Sequence, residues 1–217
     1  GFQPVFGGFV DAFLVKFDPA GDRLWATYYG GTLSEIIHHI DTDDYGNVVV
    51  SGITTSSELI SSPGAFQETI GGGQDAFVVK FEPGGDRLWG TYFGSLWVER
   101  GDAIVVDTAN NIYVAGKTTA PTASSTPGAF QLANGGISDA FLLKLTPEGD
   151  RLWSTYIGGE LIDYAFGVDV DHFSNNVIVT GETYSTEFPV TGCAHQTELS
   201  GDRNAFVTQF LPDGELF

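Results

Sequence analysis

Apolar residues along this chain fall in short runs separated by turn-forming residues, and no useful length of it is spaced at the 3.6-residue period of a helix. One stretch shows the pattern: Asp102–Asp107, Ile112–Gly116, Ala140–Leu145 and Leu152–Ile157 each read as a strand. The residues between them are chemically explicit. DYGN and TANN supply Gly and Asn for positive φ, and PAGD, PGGD and PEGD place Pro at the first central position of a turn. Four strands joined by such turns predict an antiparallel sheet.

The pattern repeats. DAFLVKFDPAGDRLWATYYGG starts at Asp11, DAFVVKFEPGGDRLWGTYFGS at Asp75 and DAFLLKLTPEGDRLWSTYIGG at Asp139, and NAFVTQFLPDGELF from Asn204 is a degenerate fourth copy. The starts are 64, 64 and 65 residues apart. A second segment recurs in phase and ends at Gly52, Gly116 and Gly181; the extra residue lies in the turn holding Ser174, Asn175 and Asn176. A third, SPGAFQ or TPGAFQ, places Phe66 and Phe130 ahead of the next DAF. Repetition of a four-stranded unit predicts an all-β chain built as a β-propeller of about 64-residue blades. The expected division is residues 1–34 as the outer half of a blade, 35–98 and 99–162 as whole blades, and 163–217 as a blade whose outermost strand is cut short. This makes about three and a half blades of a larger ring.

These phrases, together with FPVTG at Phe188–Gly192, resemble the bacterial SBBP-type β-propeller repeat over nearly the whole chain. The resemblance implies large, often seven-bladed propellers in secreted or cell-surface multidomain proteins, and it carries no catalytic residues. The last copy departs from it at His195, Asn204 and Gln209, which stand where the others have Phe, Asp and Lys.

Charge narrows the partners. The 28 acidic and 9 basic residues leave a formal charge of −19, a field that repels nucleic acids and anionic lipid surfaces. No apolar run is long enough to insert in a membrane as a helix. The single cysteine, Cys193, excludes an internal disulfide and stands without an orienting base for catalysis. The chain lacks an initiating Met, which suggests an excised part of something longer, and blade faces are apolar on both sides. Further blades are therefore expected, in the same chain or in an adjacent subunit.

Few residues invite chemistry. Asp11, Asp75 and Asp139, with Glu35, Glu99 and Asp163, recur in every unit, which fits a turn acceptor better than a ligand ring. Trp25, Trp89 and Trp153 in the DRLW phrases are expected to pack on the outer strand with the Arg covering them. The run of Asp41, Asp43 and Asp44 before Gly46 has the oxygen-rich composition of a calcium loop, but the later units keep only Asp107 and Asp171. His38 and His39 are neighbours on a strand and are expected to point to opposite faces. Trp97, unique to its unit, is the expected contact residue, with His38 the second. The expected function is a non-catalytic extracellular or cell-surface scaffold for adhesion, assembly, or protein or glycan contact. The alternative is the propeller part of an extracellular hydrolase or lyase. No cofactor other than calcium at the Asp41 loop is suggested.

Overall fold

The computed structural model describes residues 1–122 and 125–217, and among these there are thirteen strands and no helix. The first sheet pairs β1 (Ala12–Phe17) with β2 (Arg23–Tyr29). The second runs β3 (Glu35–Thr42), β4 (Val48–Thr54), β5 (Asp75–Phe81), β6 (Arg87–Phe93) from one edge to the other. The third repeats that order with β7 (Glu99–Val106), β8 (Ile112–Thr118), β9 (Asp139–Leu145) and β10 (Arg151–Ile157). The fourth holds β11 (Asp163–Val170), β12 (Val177–Thr183) and β13 (Asn204–Phe210). Every strand pairing within the sheets is antiparallel.

The sheets stack face to face in chain order, and each junction has its own apolar cluster. Leu14 and Tyr29 of the first sheet meet Val48, Val50, Phe77, Val79 and Phe81 of the second. Ala76, Val78 and Phe93 then meet Ile104, Val114, Phe141 and Leu143 of the third, which in turn presents Tyr113, Leu142 and Ile157 to Val177, Phe206 and Phe210 of the fourth. Alternate residues of β5 serve alternate junctions, so the whole strand is buried. The strands β1 and β13 have a neighbour on one side, and there the same alternation leaves Phe13, Val15 and Val207 exposed. The edge strand β7 lies against both β3 and β11.

Each of these edge strands carries a β-bulge at the same place. Register shifts between Ile37 and His39, between Gly101 and Ala103, and between Ala165 and Gly167 leave His38, Asp102 and Phe166 as the extra residues. The bulge explains a repeated glycine. A Cβ on Gly52, Gly116 or Gly181 would lie only 2.0, 1.8 or 1.8 Å from the carbonyl oxygen of Ile36, Arg100 or Tyr164, so only glycine lets the bulged strand approach. It also corrects the expected start of the strand: β7 begins at Glu99, not Asp102, because the polar run before the apolar residues is the bulged half of the strand.

The one-residue insertion sits where the spacing put it. Gly46, Asn110 and Asn175 take positive φ in the three equivalent turns, and the last turn closes between Asp171 and Asn176 instead of over five residues.

Candidate functional site

Most of the repeated residues are consumed in joining one sheet to the next. Trp25 Nε1 donates to Pro83 O at 2.9 Å, Trp89 Nε1 to Pro147 O at 3.0 Å, and Trp153 Nε1 to Pro212 O at 3.1 Å. Lys16, Lys80 and Lys144 donate to the same three carbonyls at 3.2, 3.2 and 2.9 Å. Two residues beyond each proline, Gly85, Gly149 and Gly214 take φ of +93°, and a Cβ there would meet the preceding sheet's indole at 2.7, 2.9 and 3.0 Å. Thus each Pro-x-Gly turn seats on a tryptophan of its neighbour, and the turn needs glycine both for its dihedral angle and for this contact. The arginine of DRLW does not cover its own tryptophan, contrary to expectation. Arg87 instead lies 4.4 Å from the Phe2 ring centroid and Arg151 4.6 Å from that of Phe66, so the Phe-Gln segment of one unit is clasped by the next. Phe130 packs on Phe210 in the following sheet at 5.7 Å.

The repeated carboxylates act as acceptors inside their own units. Asp75 takes hydrogen bonds from the amides of Gly71 and Gly72 and from Gln67 Nε2; Asp11 and Asp139 use the equivalent loop. The donors lie before the aspartate, so each acid closes the loop that leads into its strand. Glu35, Glu99 and Asp163 are buried and bond the Gly31, Ser95 and Gly159 amides.

The Asp41–Asn47 loop does not gather a cation site. Asp43 accepts the Tyr45 and Asn47 amides through Oδ1, and Asn47 Nδ2 and the buried Lys80 ammonium through Oδ2. Burial works to raise the Asp43 pKa, but the Lys80 and Asn47 bonds outweigh it and hold the carboxyl below its ordinary range. Asp41 spends its two oxygens on the Thr42 and Val106 amides. Among the described residues no group of three or more Asp, Glu, His or Cys side chains is placed to hold a metal ion. The oxygen-rich spacing of Asp41, Asp43 and Asp44 builds a hairpin turn locked by the Lys80 ammonium on Asp43.

The inner edge strands are where the units stop being alike. His38 Nδ1 lies 3.0 Å from Asp102 Oδ1 and 3.2 Å from Gly101 O, and His39 Nδ1 lies 3.0 Å from Ile104 O. Both imidazoles therefore reach β7, because the bulge at His38 breaks the alternation that would have sent them to opposite faces. With Asp41 Oδ2 accepting from Val106 N at 2.8 Å, side chains of β3 satisfy the backbone groups that an unpaired edge leaves open. Asp102 also receives Arg100 Nε and Nη2, at 2.8 and 2.7 Å, on the same oxygen; its Oδ2 is buried without a partner. Burial favours the neutral acid there, yet the bonds from His38 and Arg100 win and lower the Asp102 pKa. Across the ladder from Arg100 stands Lys117, whose ammonium lies 4.4 Å from the Tyr164 ring centroid. Burial pushes the Lys117 pKa down, and Arg100 adds to it. The equivalent positions are Ile36 and Ile53 in the second sheet and Tyr164 and Glu182 in the fourth.

Trp97 lies half-exposed in the loop before β7. Of the constellation of His38, Arg100, Asp102 and Lys117, only His38 was singled out from the sequence; the available signal for the others was the departure of these positions from the repeat. Cys193 is exposed, with Thr191 Oγ1 3.9 Å from its sulfur.

No family model matches the chain. It is 27% identical over 113 residues to an uncharacterised WD repeat-containing protein of Acanthamoeba polyphaga mimivirus, a match covering 50% of this chain and 8% of that protein. The class supported is an all-β repeat protein of stacked antiparallel sheets.

Proposed function

We propose that the chain is a non-catalytic β-propeller scaffold of the SBBP type, part of a secreted or cell-surface protein, that makes protein or glycan contacts or builds extracellular assemblies. Its blades would be residues 35–98, 99–162 and 163–217, with 1–34 the outer half of another. The observation that carries this reading is the use to which the repeat is put: Trp25, Trp89 and Trp153 with Lys16, Lys80 and Lys144 grip the following sheet, and Arg87 and Arg151 clasp a phenylalanine of the preceding unit. A residue set spent on stacking is what a modular scaffold requires. The WD repeat in the name of the viral relative, and the meeting of β7 with both β3 and β11 along one edge of the stack, support a propeller. Exposed Phe13, Val15 and Phe17, whose counterparts Phe77, Val79 and Phe81 are covered by the preceding sheet, support a further blade on that side.

Binding of the purified chain to an array of extracellular glycans and matrix proteins tests the function. Specific retention without turnover of any retained ligand is the expected result; turnover would replace the scaffold by the second reading, an extracellular hydrolase or lyase. That second reading rests on the His38–Asp102 pair at 3.0 Å and its departure from the repeat. It predicts that His38→Ala abolishes turnover.

A further inference from the structure

Nine basic residues serve this chain, and six of them belong to the repeat as Lys16, Lys80 and Lys144 and as Arg23, Arg87 and Arg151. Arg203 is paired with Glu182 at 3.0 Å. The remaining two, Arg100 and Lys117, are direct cross-strand partners on β7 and β8. Like charges directly opposite in a ladder destabilise a sheet, and the same position in the second sheet is an Ile–Ile pair. Among the described residues the carboxylate that answers the guanidinium is Asp102, through Nε and Nη2, with no acceptor on Nη1, and the Lys117 ammonium has the Tyr164 ring but no hydrogen-bond acceptor. Two cations thus stand against one acid, in a chain that elsewhere has an excess of acids. Beside them, Phe166 is half-exposed with its ring 6.1 Å from that of Tyr164.

We propose that Arg100 and Lys117, with Tyr164 and Phe166, form a subsite for the carboxylate of an acidic sugar. The carboxylate takes the free donors of Arg100 and Lys117 as charge-assisted hydrogen bonds. The apolar C–H face of the sugar ring covers Phe166, whose exposed ring has no role in the junctions between sheets. An acidic peptide would use the cations but would leave that ring bare, so the aromatic neighbour favours the sugar. The overall charge of −19 repels a long polyanion, whereas a single carboxylate within a Debye length, about 8 Å at physiological salt, feels the local pair. The ligand is accordingly a short or singly charged uronate. This assignment rests on the scaffold reading and names its ligand.

The test is titration calorimetry of the whole chain with trigalacturonate, with its fully methyl-esterified form and with hexaglutamate, and chromatography of the sugar after incubation. Expected are binding of trigalacturonate, about tenfold weaker binding of the ester, and about tenfold weaker binding by Lys117→Gln and by Phe166→Ala. Lys117→Gln relieves the like-charge pair, so its thermal midpoint should not fall, which separates lost contact from lost fold. Equal binding of ester and acid, or of wild type and Lys117→Gln, overturns the subsite. So does hexaglutamate binding as tightly as the sugar with no effect of Phe166→Ala. Absence of binding without turnover sinks the subsite and leaves the scaffold standing, whereas cleavage of a bound sugar sinks the scaffold and leaves the subsite.

Discussion

Asp139 and Asp163 face each other across Gly158, where a Cβ would lie 2.7 Å from an oxygen of the first and 2.8 Å from one of the second. In the two earlier units the partner acid is a glutamate, long enough for Thr54 or Thr118 to donate to it at 2.7 or 3.1 Å. Aspartate at 163 is one methylene shorter, and Thr183 turns to Ser185 O instead. Asp139 Oδ1 and Asp163 Oδ1 are both buried without a partner. Burial, with Asp163 close by, pushes the Asp139 pKa up to about 6. The folded chain therefore holds a proton that the unfolded chain releases near pH 4, so this contribution is present below about pH 4 and is lost as pH rises through about 6. Its size is about 3 kcal/mol. Asp139→Asn should flatten the fall in stability between about pH 4 and 6, measured as the urea midpoint; an unchanged slope would place the proton elsewhere. Asp43 and Asp102 act with the opposite sign. Their lowered pKa values give stability that is present above about pH 4 and lost on further acidification.

Among the elements, the Pro-x-Gly turn and the tryptophan beneath it form the joint on which stacking depends. Trp89→Phe keeps most of the buried ring and removes the donor to Pro147 O, so a loss of about 1 kcal/mol is expected. Gly149→Ala should cost more, about 2 kcal/mol or above, because it meets both an unfavourable φ and the Trp89 ring. Thermal unfolding of the two variants checks the order, and a harmless Gly149→Ala would show that the joint is loose. The strands themselves were legible, since alternation and turn residues bound β8, β9 and β10 to within two residues. The partners of the repeated residues were not. A repeat states that Trp, Arg and Phe recur, but whether they meet within a unit or across a junction depends on stacking, which local periodicity does not encode. The bulge was hidden for a related reason: Ile37, His38 and His39 look like an alternating strand, and only the partner ladder reveals that one of them is extra. The glycines at 52, 116 and 181 carried that information as a steric demand.

At the level of the whole molecule, the same packing rule that buries both faces of the second and third sheets leaves the outer face of the first open. Phe13, Val15 and Phe17 are exposed, and Leu24 and Tyr28 on the adjacent β2 are also exposed. Their counterparts on β5 pack into the junction with the first sheet, so this face has the same apolar chemistry without the cover that its counterpart has. Gly21, at φ +91°, has nothing within 4 Å of its missing Cβ, whereas Gly85 and Gly149 are seated on a tryptophan. Contiguous exposed apolar area of this kind drives association. The isolated chain should self-associate reversibly through this face, and Val15→Lys with Phe17→Ser should shift it toward monomer by light scattering without lowering the thermal midpoint. Both residues lie outside the apolar cluster at the junction with the second sheet, so their replacement leaves that packing in place. If the doubly substituted chain associates as strongly as the wild type, the outer face of the first sheet is not the sticky surface, and the case for a neighbouring blade there loses its physical basis.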